Sequence, residues 1–115
     1  MERVSKSTLP TFLAHRPYSV VHLDAEWNGY RKAVTDQMRE VEQQFEKSVS
    51  FGYMDCDAEQ GYANDIGLRN VPSVAYYCGA DLFGVVVGIK QNIAHNIERM
   101  MRSEHLDETN TLSRG

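Results

Sequence analysis

The spacing of apolar residues changes period several times along this chain, and each change marks an element. Leu9, Phe12 and Leu13 give residues 5–15 one apolar side of helical spacing, which Pro17 ends. Residues 18–23 form a nearly continuous apolar run, the pattern of a central strand covered on both faces. From 29 to 47 the period becomes helical: Val34, Met38, Val41 and Phe45 recur at steps of four, three and four among charged and amide residues. Asn28 is the expected N-cap of that helix. Residues 49–55 return to alternation, with Val49, Phe51 and Tyr53 on one side of a second strand.

The second half repeats the pattern. Asp57-x-x-Gln60 has the form of a capping box and Gly67 that of a stop, predicting a short helix with Tyr62, Ala63 and Ile66 on its apolar side. Residues 73–77 and 82–87 read as two strands joined by Cys78-Gly79-Ala80-Asp81, a length that suits a hairpin. A last helix, 92–102, turns Ile93, Ile97 and Met100 or Met101 inward. The order is helix, strand, helix, strand, helix, strand, strand, helix. It predicts an α/β sandwich, a mixed central sheet with helices on both faces. Residues 1–102 form a single domain, and 103–115 are expected to be a polar, disordered C-terminal tail.

A chain of 115 residues can bury a core without disulfide or metal staples. A net charge of −4, with no cluster of Lys and Arg, argues against a nucleic-acid surface. The longest apolar runs, such as Val85-Val86-Val87, are far too short to span a membrane. The first 17 residues lack the apolar core of a signal peptide, so the cytoplasm is the expected location. Cys56 and Cys78 have neither CxxC nor metal-ligand spacing, and His15, His22, His95 and His105 are scattered. No metal and no cofactor are expected, and both cysteines are expected to be reduced.

Residues Ala25-Glu26-Trp27-Asn28-Gly29-Tyr30-Arg31-Lys32 resemble the active-site loop A-E-W-C-G-P-C-K of the thioredoxin family, with both cysteines replaced. Residues 61–73, ending Gly67-Leu68-Arg69-Asn70-Val71-Pro72-Ser73, resemble the family's stretch ending Y-G-I-R-G-I-P-T. Val87-Gly88 is similar to the V-G that closes its last strand. The resemblance runs almost without gaps from Tyr18 to Met101. It implies a thioredoxin-like sandwich with Pro72 as the cis-proline facing the loop. Asn28 and Arg31 stand where the nucleophilic and resolving thiols would be, and Tyr30 replaces the proline between them. His22 takes the place of a buried, proton-handling aspartate.

Dithiol exchange needs a thiolate to attack and a second thiol to release the mixed disulfide, and neither an amide nor a guanidinium does either. No catalytic residue is therefore assigned. The expectation is a non-catalytic protein- or peptide-binding or scaffolding module. Its surface would be Trp27, Asn28, Gly29, Tyr30 and Arg31 together with the Val71–Pro72 edge. Trp27 either recognises a partner in a groove or packs the loop onto the sheet. Arg31, in the first turn of a helix where a cation is mildly disfavoured, either pairs with Asp24 or binds an acidic group of a partner. His22 is expected as a buried imidazole with both nitrogens hydrogen-bonded. The whole-chain acidity favours an apolar or mildly basic peptide. Two alternatives stay open: an atypical redox protein acting through a lone Cys56 or Cys78, and a homodimer formed through the loop face.

Overall fold

The apolar run of residues 18–24 becomes the middle of a five-stranded sheet in the computed structural model, which describes residues 1–108. The elements are β1 (Glu2–Arg3), α1 (Leu9–Ala14), β2 (Tyr18–Asp24), α2 (Arg31–Phe45), β3 (Val49–Asp55), α3 (Gln60–Asp65), β4 (Ser73–Cys78), β5 (Asp81–Val87) and α4 (Ile93–Met101). The strand order is β1-β3-β2-β4-β5. β1, β3 and β2 run parallel, and β4 and β5 complete the sheet by antiparallel pairing. Both faces of the central strand are covered, which explains why its sequence shows no polar alternation.

Successive side chains of β2 point to opposite faces, and each face has its own core. Val20 packs with Val34 and Met38 of α2 and with Ile93, Ile97 and Met100 of α4. Val21 and Leu23 pack with Leu9, Phe12 and Leu13 of α1, and Tyr62 and Ala63 of α3, with Ile66 just after it, close the edge of that cluster. Full burial of a side chain the size of Met38 or Ile97 stabilises the fold by about 1.5–3 kcal/mol. The helical periods seen in the sequence are these two seams. Gly67 stops the turn after α3 with φ at +68°, a conformation glycine adopts without a Cβ penalty.

Three details differ from the sequence reading. β1 was not anticipated: two residues are too few to show a period. Yet Glu2 and Arg3 pair with Gly52 and Tyr53, and the Val4 N–H donates to the Tyr53 carbonyl at 2.7 Å. At α3, Glu59 takes the N-cap position without a side-chain cap bond, so the expected Asp57 box does not form. The Asp57 N–H is instead met by Asp55 Oδ1 at 3.0 Å. Residues 103–108, expected to fray, lie against the domain, where Leu106 packs on the α2/α4 core and Asp107 bonds Asn96. The rest of that tail, 109–115, lies outside the described residues. Among the described residues no helix is long and apolar enough to cross a membrane.

Candidate functional site

β2, β3 and β5 end, and β4 begins, at the same end of the sheet, as their registers require. The loop 25–30, the turn 66–72 and the segment 88–92 therefore converge there. Gln37 of α2 ties the third of these down: its Nε2 donates to the Ile89 carbonyl at 2.7 Å, and its Oε1 accepts the Gln91 N–H at 2.8 Å.

The first loop rests on a buried polar chain. His22 and Asp24 are two apart on β2, so both project toward α2, and both are fully buried. His22 Nε2 donates to Asp24 Oδ2 at 2.6 Å, and His22 Nδ1 lies 3.3 Å from Thr35 Oγ1 on α2. The Tyr53 ring meets the imidazole edge-on at 5.4 Å. Asp24 Oδ1 accepts the Ala25 N–H and Asn28 Nδ2, each at 2.8 Å. Burial by itself would raise the Asp24 pKa, but the hydrogen bonds from His22, Asn28 and Ala25 outweigh it and hold the carboxyl below its ordinary 3.8. Asp24 is thus an ionised carboxylate with donors on both oxygens.

This arrangement replaces the expected pair between Asp24 and Arg31. The carboxylate is saturated by groups nearer along its own strand and loop, and Arg31 makes no ion pair with any described carboxylate. Its guanidinium acts on Tyr53: burial raises that phenol's pKa, Asp55 raises it further, and Arg31 opposes them. Asn28 is likewise not the helix cap. Tyr30 holds the N-cap position without a side-chain bond. Asn28 instead bridges the loop, giving Nδ2–H to Asp24 and taking the Tyr30 N–H on Oδ1 at 3.2 Å. Thr35 was missed in the sequence. Its only signal was its place beside Val34, one residue off the buried stripe of α2.

Above this base the loop is open. Trp27 is 70% exposed and Tyr30 59% exposed, so Trp27 does not pack the loop onto the sheet. Gly29 has nothing near the position a Cβ would take. Trp27 and Val71 line one cleft of about 270 Å³, with Cys56, Leu68, Arg69 and Asn70 among its walls. The Val71–Pro72 peptide bond is cis. Pro72 is buried, and its carbonyl accepts the Gly88 N–H at 3.0 Å. Pro72 therefore lies beneath the surface, and Val71 supplies the edge of the cleft. The Val71 N–H and carbonyl bond to none of the described residues. On the other side of the 66–70 turn, a larger cleft of about 660 Å³ opens against Val85 and Val87 and shares Leu68, Arg69 and Asn70.

The two cysteines are free and far apart. Cys56 follows β3, its N–H donating to the Asp24 carbonyl at 2.8 Å, whereas Cys78 pairs with Tyr18 at the opposite end of β2. Six residue steps along β2, from Tyr18 to Asp24, separate those ends, roughly 20 Å, well beyond disulfide reach. Burial, then the charges of Asp24, Asp55 and Asp57, push the Cys56 thiol up to about 12. At neutral pH it is protonated and a poor nucleophile.

Among the described residues, a mixed five-stranded sheet flanked by four helices, with these three loops at one end, defines a thioredoxin-fold domain. The thioredoxin family model matches residues 2–101, and the chain belongs to that family. No curated protein sequence matches it. Among solved structures, mitochondrial thioredoxin 3 from Saccharomyces cerevisiae in its oxidised form is 15% identical, with 90% of this chain and 94% of that chain covered at a TM-score of 0.73. Plasmodium falciparum thioredoxin is 16% identical, with 91% and 100% covered at a TM-score of 0.74. At such identities the likeness concerns the fold alone.

Proposed function

We propose that this chain is a non-catalytic peptide-binding module, using the loop from Trp27 to Arg31 and the Val71 edge as one surface. The observation that carries this reading is the open main chain of Val71 beside an exposed indole, in one cleft. The N–H and carbonyl of half-buried Val71, bonded to none of the described residues, suit an extended peptide, which pairs with them as an added strand while Trp27 covers its side chains. This mode needs no thiol. The His22–Asp24–Asn28 chain favours it by holding the loop in one shape before binding, which lowers the ordering cost of association. Net charge describes the whole chain, whereas the cleft wall carries the exposed cation Arg69. The segment we expect is therefore aliphatic with a carboxylate, rather than basic.

The test is a library of extended peptides screened against the full chain. The expected binders lose at least tenfold in affinity to Trp27→Ala, and they slow hydrogen exchange at the Val71 amide. If Trp27→Ala and Arg69→Glu retain the same binders at the same affinities, this surface is wrong. A second reading, chemistry at a lone thiol, has one observation in its favour: Cys56 lines the same cleft. Its high pKa counts against that reading, and turnover of a disulfide substrate by the wild type that is lost in Cys56→Ser would restore it.

A further inference from the structure

Away from the loop end, residues 104–108 lie across α4 and the edge strand β5. Asn96, fully buried on α4, reads the main chain of this segment from both sides. Its Oδ1 accepts the Asp107 N–H at 2.6 Å, and its Nδ2 donates to the Asp107 carbonyl at 3.2 Å. A neighbouring β-strand would offer the same pair of groups. Leu106 sits over Gly84: a Cβ on that glycine would meet Leu106 Cδ1 at 2.8 Å, so the notch exists because residue 84 has no side chain. The Asp107 carboxylate is met by Asn92 Nδ2 at 3.2 Å and lies 4.0 Å from His95 Nε2. Upstream, Arg99 donates to the His105 carbonyl, and Arg99 and Arg102 flank Glu104. The seal is incomplete, since a cleft of about 320 Å³ remains between this segment and Phe83 of β5.

We propose that the β5–α4 face is a second peptide-docking site, closed in the free chain by its own residues 104–108. It takes extended segments carrying a leucine followed by an aspartate, supplied by a partner protein. Each element of such a site is present. A buried amide recognises main chain whatever its sequence, a glycine notch selects the aliphatic side chain, and Asn92 and His95 select the carboxylate. The tether gives the chain's own segment a high effective concentration, on the millimolar scale for a short linker. A partner must therefore compete with it, which makes the segment a gate as well as a stand-in ligand. The site lies apart from Trp27 and Val71 and does not depend on the function proposed for them.

The probe is the labelled peptide Ser-Glu-His-Leu-Asp-Glu with blocked ends, titrated into the full-length chain. Leu106→Ser empties the notch while leaving the α4 amide in place, and this variant is expected to bind the peptide roughly tenfold or more tighter than the wild type does. Adding Gly84→Ala fills the notch and is expected to cancel the gain, and a peptide with serine in place of leucine is expected to show none. In the wild-type chain, excess peptide is expected to shift the Asp107 amide resonance. Equal peptide binding by wild type and Leu106→Ser overturns the proposal. So does binding indifferent to Gly84→Ala, and so does an unmoved Asp107 resonance at saturating peptide.

Discussion

Asp24 decides the chemistry of the loop end at the scale of single residues. It is an ionised group with no solvent contact, and its stability rests on three donors. Asp24→Asn turns one accepting oxygen into a donor facing Ala25 N–H, Asn28 or His22, and is expected to cost about 3 kcal/mol at pH 7. The carboxyl's folded pKa lies below 3.8, so its contribution is complete above the unfolded value and fades as pH falls through the folded one. Denaturant titrations of wild type and Asp24→Asn should therefore differ fully at pH 7 and draw together as pH falls from 3.8 through the lower folded pKa. Equal gaps at both pH values would remove the network from the stability account. The sequence held half of this: His22 and Asp24 at i and i+2 on a predicted strand must share a face. The other half, that Asn28 and not Arg31 closes the chain, depends on how the loop turns after Ala25.

The N-terminal segment shows best, at the scale of elements, what periodicity misses. β1 is two residues long and leaves no pattern, yet it closes one sheet edge and brings Val4 and α1 over β3. Gly52 permits that approach: a Cβ there would lie 2.7 Å from Val4 Cγ2, 2.9 Å from Phe12 Cζ and 3.1 Å from the Glu2 carbonyl. Gly52→Ala is expected to destabilise the fold by about 1–3 kcal/mol. Thermal unfolding of this variant and the wild type measures that cost, and an unchanged midpoint would mean the N-terminus shifts freely. The longer elements were legible because each buries a continuous stripe. α2 and α4 needed only the spacing of Val34 with Met38 and of Ile93 with Ile97.

Sheet register places the two thiols in different worlds when the whole molecule is considered. Cys78 is exposed at one end, and Cys56 is buried at the other beside three aspartates. Treatment with a thiol reagent at pH 8 should modify one cysteine quickly, identified as Cys78 by mass spectrometry, and Cys56 only on denaturation. Rapid labelling of Cys56 in the folded chain would reopen the lone-thiol reading. Strand spacing alone could not give this answer, because the distance between the thiols depends on which strands are neighbours and in which direction they run.

The amino-acid order alone determined the alternation of strands and helices, the apolar stripes and the missing thiols of the loop. These follow from local periodicity and residue chemistry, which act over a few positions. Tertiary structure alone decided which donors reach Asp24, that Trp27 stands in solvent beside Val71, and that Leu106 finds a notch at Gly84. Each of those contacts joins groups distant along the chain or turned by a loop, where side-chain direction is set by packing and not by the neighbouring residues.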